Sequence, residues 1–355
     1  MMILQLLPSI SYGDAVGNDA IALKNAILKM GYKTEIYAEN IDEKLPKNTA
    51  KYVTKLPKVN ENDVVIFHMA IGSNLSWFFG KLNCKKVMVY HNITPPEFFE
   101  DYSRDALRLT KEGYKAVEWL ADKVDYCIAD SEYNKSELIR MGYKCSIDVL
   151  PILIPFDDYR KEPDEKVIKR YDDDFVNILF TGRLAPNKCQ EDLIRAFAYY
   201  KMHYNSMARL ILVGSEGVFV NYRKRLQKYA EVLGADNVIF TGHIKFNQIL
   251  AFYKVADVFL CQSEHEGFCV PLVESMFFGV PIVAYNSSAV GETMGGGGIL
   301  LDKKDALETA GVIDYVVKNE DIRAQIKENQ KLKLKEFDYN VIEKQFEQIL
   351  QRILA

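Results

Sequence analysis

Asn177-Ile178-Leu179-Phe180-Thr181-Gly182-Arg183-Leu184-Ala185-Pro186-Asn187-Lys188 packs an apolar run, a glycine and a cationic loop into one short stretch. An apolar run bounded by Gly and Pro reads as a buried strand followed by a turn. Arg183 then stands at the carboxyl edge of a sheet, and Pro186 and Asn187 turn the loop so that Lys188 returns to that edge. An arginine fork plus a lysine point charge suits a diphosphate. Taken alone, the pair is equally an ordinary solvated surface feature.

Working outward, the same rhythm of strand, loop and amphipathic helix recurs in both directions. Downstream, Arg209–Val213, Val238–Phe240, Asp257–Cys261, Pro281–Ala284 and Ile299–Leu301 read as further strands. Upstream, strands are expected at Ile3–Leu7, Thr34–Ala38, Val64–His68, Val87–His91 and Tyr126–Asp130, with a helix over Asn18–Met30 that Gly31 ends. Strands alternating with helices imply parallel sheets covered on both faces. The fold class is therefore α/β with two Rossmann-like, doubly wound halves. The expected division is 1–160, a charged linker at 161–174, bare or with a short exposed helix, and 175–338. A final amphipathic helix, 339–355, either caps the second half or crosses back to the first. Open sheets of this kind bind ligands beyond the carboxyl ends of their strands.

Length and composition agree. A chain of 355 residues suggests two domains, and 48% hydrophobic with 26% charged residues is ordinary globular composition. Lys plus Arg number 45 against 49 Asp plus Glu, a net charge of −4, which argues against a dedicated nucleic-acid binder. The six cysteines show no CxxC pair and read as reduced thiols of a cytoplasmic protein. Met1–Leu7 is too short and too lightly flanked for a signal, and no run approaches the ~20 apolar residues of a membrane helix.

The densest chemical signal is Glu264-His265-Glu266-Gly267-Phe268-Cys269-Val270-Pro271-Leu272-Val273-Glu274. Pro271 suits the first turn of a helix, so Gly267, Phe268 and Cys269 lie at a helix N-terminus, which favours phosphate or sugar oxygens. Glu266 and Glu274 border the same place, and carboxylates accept hydroxyl protons. By themselves, two acids at a helix start also just complement the helix dipole, for about 0.3–1 kcal/mol.

Gly-Arg-Leu-x-x-x-Lys after a strand, followed by Glu-x7-Glu opening a helix, resembles the retaining family-4 glycosyltransferases of the GT-B fold (glycosyl transferases group 1). The resemblance covers the second half, including Phe240-Thr241-Gly242-His243-Ile244 and the Gly295–Gly298 loop, and is weaker in the first. It implies two domains facing each other across a cleft and transfer of a hexose from a nucleotide diphosphate sugar, with retention and without a bound metal or other cofactor. Arg183 and Lys188 would hold the diphosphate and Glu274 the ribose. Glu266, Gly267, Phe268 and Cys269 would meet the sugar or phosphate, and Ile244 would read the base. His91, in Val89-Tyr90-His91-Asn92-Ile93-Thr94-Pro95, resembles the family histidine that approaches the donor sugar, with His68 as second choice. The loop Tyr12-Gly13-Asp14-Ala15-Val16-Gly17 stands where the family shows Gly-Gly, and Cys189 where it shows Gly.

The acceptor is expected to be a glycan, a lipid-linked glycan or a small molecule. Lipid-modifying relatives dock through a basic helix of the first domain. Here Arg104–Leu120 has Asp105, Glu112 and Glu118 among its cations, which predicts at most weak contact with the inner face of a membrane. Phe98 and Phe99 are expected to fill core rather than an acceptor groove. A metal-dependent transferase would need an Asp-x-Asp such as Asp172–Asp174, but that run sits in the charged linker. An epimerase, a phosphorylase or a non-catalytic sugar binder are the remaining alternatives.

Overall fold

The computed structural model describes residues 1–11 and 13–355; Tyr12, in the loop named above, lies outside the described residues. The chain divides into two compact units. The first is Met1–Glu97, Arg104–Pro155 and Glu336–Ala355, and the second is Phe98–Ser103 with Phe156–Lys335.

In the first unit, strands β1 (Met2–Ile10), β2 (Lys33–Ile41), β3 (Lys51–Tyr52), β4 (Val64–Met69), β5 (Lys85–Tyr90), β6 (Tyr126–Ala129) and β7 (Ser146–Val149) form one sheet, ordered 3-2-1-4-5-6-7. Every neighbouring pair is parallel. In the second unit, β8 (Val176–Thr181), β9 (Ala208–Val213), β10 (Val238–Gly242), β11 (Val258–Cys261), β12 (Ile282–Tyr285) and β13 (Gly298–Leu301) form a parallel sheet ordered 10-9-8-11-12-13. Both orders reverse at their centre, between β1 and β4 and between β8 and β11. At such a switch point the loops leaving the two strands diverge, and a crevice opens at their carboxyl ends.

The strands are apolar because helices cover both faces. Leu6, Phe67, Met88 and Cys127 pack with Val117 and Leu120 in one cluster of the first unit, while Leu7, Ile10, Ala20 and Ile36 gather in another. Helix Arg104–Leu120 thus buries Ala116, Val117 and Leu120 in its own unit. Among the described residues, no helix is long and apolar enough to cross a membrane.

Three segments complete the two units. Residues 161–174 hold a short helix, the second of the two forms expected for this charged stretch. Helix Glu165–Tyr171, capped by Asp164, follows the short helix Phe156–Tyr159, and both Tyr159 and Tyr171 are buried in the second unit. Few apolar anchors suffice when they are large aromatics: Phe156 stacks on Phe277 with centroids 5.3 Å apart. Phe98–Ser103 also belongs to the second unit, where Phe99 stacks on Phe219 at 5.2 Å and Tyr102 meets Tyr222 edge-on at 5.1 Å. The final helix, Tyr339–Leu354, packs in the first unit through Ile342, Phe346, Ile349, Leu350 and Ile353, and Lys29 Nζ reaches Glu343 Oε1 at 2.6 Å.

Candidate active site

The candidate residues of the second unit collect at the β8/β11 switch point. β8 ends at Thr181, and the chain leaves through Gly182, at φ 143°. That backbone is dictated by its neighbour Gly214, at φ 144°: a Cβ there would lie 2.0 Å from the Gly182 carbonyl oxygen. The two loops are stitched by Gly182 N–H to Val213 O at 2.9 Å and Leu184 N–H to Ser215 O at 3.0 Å. Arg183 is exposed, and its guanidinium has no partner among the described residues. A tight turn, Pro186–Lys188, follows, and Cys189 at φ 51° starts the helix Gln190–His203. The position that favours glycine therefore keeps its left-handed backbone with cysteine in place, at a cost of roughly 1–2 kcal/mol.

Lys188 Nζ reaches Glu266 Oε2 at 2.6 Å, and both side chains are largely buried. Burial alone would lower the lysine pKa. The Glu266 carboxylate outweighs it and holds the ammonium above its usual range. The Glu266 loop, between β11 and the helix Val270–Phe278, is tied down on several sides. Glu264 N–H donates to Asn187 O at 2.9 Å, and Asn187 Nδ2 donates to His265 O at 3.1 Å. Glu266 N–H donates to Ser288 Oγ at 2.8 Å, and Thr293 Oγ1 donates to Phe268 O at 2.5 Å. Cys269, at φ 74°, is the N-cap residue of the helix, with Pro271 in its first turn.

Glu274, on that helix, is held by both oxygens: Tyr159 Oη donates to Oε1 at 2.7 Å and Tyr253 Oη to Oε2 at 2.6 Å. Tyr253 has one proton, which goes to the carboxylate, so the Thr181 hydroxyl donates to Tyr253 Oη at 2.5 Å. Burial raises the Glu274 pKa while the tyrosine hydroxyls oppose that rise. Glu274 is thus fixed to the last residue of β8, two positions before Arg183. Ile244 lies just past β10, whose end Gly242 bridges Gly214.

In the first unit, Asp14 is the N-cap of the helix Ala15–Lys29, and its Oδ2 accepts from Gly17 N–H at 3.2 Å. Gly13 turns the chain at φ 76°. This helix start therefore already carries its own carboxylate where a phosphate oxygen was expected. His91 follows β5 with its side chain 1% exposed. Its Nδ1 meets Asp130 Oδ2 at 2.9 Å and its Nε2 meets His68 Nδ1 at 2.8 Å, so neither ring nitrogen is left for a ligand. The two histidines weighed against each other are members of one array.

The structure thus brings Lys188 to Glu266, His68 to His91, and Glu274 to the end of β8. Gln5, Asp130, Tyr159 and Tyr253 were missed. Gln5 had a signal: a polar residue inside the run Ile3–Leu7, 0% exposed in the structure, must find a partner.

Residues 161–333 match the family model described as Glycosyl transferases group 1. The chain is 26% identical over 302 residues to an uncharacterized glycosyltransferase of Methanocaldococcus jannaschii, covering 82% of this chain and 76% of that protein. It is 28% identical over 187 residues to a GDP-mannose-dependent phosphatidylinositol monomannoside mannosyltransferase of Mycobacterium tuberculosis, covering 49% and 47% of the two. Among solved structures, Anabaena HepE in complex with UDP-glucose superposes with a TM-score of 0.76 at 20% identity, over 99% of this chain and 100% of that one. WaaG, a glycosyltransferase involved in lipopolysaccharide biosynthesis, gives 0.74 at 14% identity, over 98% and 99%. With the paired strand orders and the Arg183–Lys188 and Glu266–Glu274 loops in place, the chain is a glycosyltransferase of the GT-B fold whose residues 161–333 carry the match to glycosyl transferases group 1.

Proposed function

We propose that this chain is a retaining, metal-independent transferase of family 4. It moves a hexose from a nucleotide diphosphate sugar to a hydroxyl of a glycan, a lipid-linked glycan or a small molecule, in polysaccharide biosynthesis. The observation that carries the reading is the Lys188–Glu266 contact of 2.6 Å, in the loop that also carries an exposed Arg183 with no partner among the described residues. Such a cation pair at a switch point suits a diphosphate, whose negative charge grows as the sugar's anomeric C–O bond breaks. The new bond forms to the acceptor oxygen on the same face, and the hydroxyl proton leaves with the departing phosphate.

Charge balance supports metal independence. Cys261, Glu266 and Cys269 place ligand atoms within 4.8 Å of one another, but the Lys188 ammonium already stands on Glu266 where a cation would bind. Of the linker acids, Asp173 pairs with Arg209. In this reading Glu274 takes the ribose hydroxyls with its remaining lone pairs, Ile244 lies against the base, and Gly267, Phe268 and Cys269 line the sugar–phosphate side. The loop Gly13, Asp14, Ala15 contributes a carboxylate acceptor for a hydroxyl rather than a phosphate cradle.

Isothermal titration of the EDTA-treated protein against UDP, GDP, ADP and dTDP tests the site. Micromolar binding of one diphosphate, weakened in Glu274→Ala, is expected and selects the donor for a transfer assay. No binding by folded protein sinks the metal-independent donor site. Tyr159→Phe, which removes one of the two hydroxyls orienting Glu274, is expected to raise the dissociation constant roughly tenfold, on the order of 1–1.5 kcal/mol. An unchanged constant removes Tyr159 from the site.

A further inference from the structure

The middle of β1 and the carboxyl ends of β4, β5 and β6 enclose a buried polar array that the transfer reading does not account for. Gln5 Nε2 donates to the Ala20 carbonyl at 3.1 Å, and Gln5 Oε1 faces His68 Nε2 at 2.8 Å. His68 Nδ1 faces His91 Nε2 at 2.8 Å, and His91 Nδ1 faces Asp130 Oδ2 at 2.9 Å. Gln5, His68 and Asp130 are buried, as is the His91 side chain.

We propose that Gln5, His68, His91 and Asp130 form a single-file hydrogen-bond wire that keeps His91 an imidazolium, with His68 and Asp130 as positioning residues for sugar transfer. The functional half of this proposal rests on the transferase reading; the protonation state does not.

Counting protons along the array fixes where the charge lies. The Ala20 carbonyl can only accept, so the Gln5 amide is oriented with its NH2 toward it and its oxygen toward His68. That oxygen can only accept, so His68 Nε2 carries a proton. An ionised Asp130 places a second proton on His91 Nδ1; burial raises the Asp130 pKa, and the His91 charge and hydrogen bond oppose that rise. One more proton must lie between the two rings, and it goes where its charge has a partner. Among the described residues His68 hydrogen-bonds no carboxylate, an Asp19 oxygen lying within 4.8 Å of it, whereas His91 touches Asp130 at 2.9 Å. The third proton therefore sits on His91 Nε2 and points at the bare Nδ1 of His68.

Geometry favours a proton over a metal ion. The ring centroids are 5.1 Å apart and the planes only 6° apart. That separation exceeds the 2.8 Å nitrogen contact by about two ring radii, so the rings are coplanar and meet nitrogen to nitrogen. A shared metal needs both lone pairs aimed at a third point about 2.0–2.1 Å from each. Here they aim at one another, with room for one hydrogen.

The charged groups facing His91 come from every packed element: Asp130 after β6, His68 on β4, and Asp19 and Asp14 of the first helix. Burial alone would depress the His91 pKa; the Asp130 carboxylate outweighs burial and raises it. Burial and the His91 charge together push His68 well below its ordinary value. Asp19, which accepts from Leu153 N–H at 3.0 Å, is pushed up by burial to about 6 and so becomes a second anion near neutrality. A folded-state pKa raised on His91 means that its contribution to stability is complete below the ordinary imidazole value near 6.5. That contribution is lost as pH climbs through the raised value.

The test uses the full chain labelled with 15N-histidine, His91 being assigned by the loss of its signals in His91→Gln. Both His91 nitrogens are expected to report as protonated at neutral pH, above the ordinary imidazole value, while His68 shows one protonated and one bare nitrogen. A His91 ring with a bare nitrogen at neutral pH overturns the wire. In Asp130→Asn, His91 should become neutral at pH 7.5, and transfer should fall at least tenfold and recover severalfold as pH drops toward 5.5. A merely structural residue would give a loss independent of pH, and that result, or wild-type rates throughout, overturns the positioning role. If Asp130→Asn does not fold, Gln5→Met replaces it; freeing His68 Nε2 should shift the ring tautomer and lower the rate. Absence of transfer with every donor counts against the transferase reading alone, because the nitrogen signals still decide the wire.

Discussion

Lys188→Ala is expected to slow sugar transfer by roughly 10²–10³, the usual effect of removing one preorganised contact to developing charge. The loss has two sources. The ammonium that would face the departing diphosphate disappears, and Glu266, 8% exposed, is left as a buried carboxylate without its 2.6 Å partner. An unpaired buried charge of this kind costs about 3–5 kcal/mol, and it also repels a diphosphate. The double variant Lys188→Ala/Glu266→Gln removes the second source, so the rate it fails to recover belongs to the lysine. Arg183→Ala is the companion measurement: an exposed side chain with no partner among the described residues can be deleted without loss of stability, yet transfer should still fall at least tenfold. Turnover measured as nucleoside diphosphate release, beside circular dichroism, reads both. Rates within threefold of wild type in either single variant remove the diphosphate clamp.

Gly214→Ala should have the largest effect on the fold. The added methyl would stand 2.0 Å from the Gly182 oxygen and 2.7 Å from its carbonyl carbon, both backbone atoms, at φ 144° where side chains are strained. Nothing flexible can yield, so the exits of β8 and β9 must separate, and with them the hydrogen bonds that aim Arg183. A destabilisation on the order of 4 kcal/mol or more belongs to this rare class, which for a unit of this size lowers Tm by about 10 °C. Gly234→Ala is the control. It also has positive φ, 61°, but nothing lies within 4 Å of its new methyl. Similar melting curves for the two variants would show that backbone handedness, rather than the contact with Gly182, governs position 214.

Much of the fold is readable in the residues because strands buried on both faces need continuous apolar runs. Ile178–Phe180, Leu210–Leu212 and Val258–Leu260 admit little else, and all lie in strands. The reading fails where burial does. Lys51–Tyr52 is an exposed edge strand, and Ser146–Val149 is only half-buried, so neither carries a hydrophobic signature. The charged stretch around 161–174 leaves a bare linker and a linker with a short helix both open for a related reason: its anchors, Tyr159 and Tyr171, are two residues in a polar background. At the candidate site, Lys188 and Glu266 could be named because each lies beside a strand or helix boundary. Their neighbours could not. Tyr253 reaches Glu274 from the helix Phe246–Val255, and Asp130 reaches His91 because β5 and β6 are adjacent in the sheet. Adjacency follows from strand order, a long-range property that no local pattern encodes.

The helix Tyr339–Leu354 has a consequence for biosynthesis. Its five buried apolar residues and the Lys29–Glu343 pair complete a unit whose other parts are made first. On the ribosome, then, the order of manufacture and the order of completion are reversed. The second unit has all its residues once 335 has emerged, while the first waits, with the seat for this helix bare, until the chain beyond 336 is released. During that interval the early half is the one that offers apolar surface to chaperones, and damage at the carboxyl end is felt in the half made first.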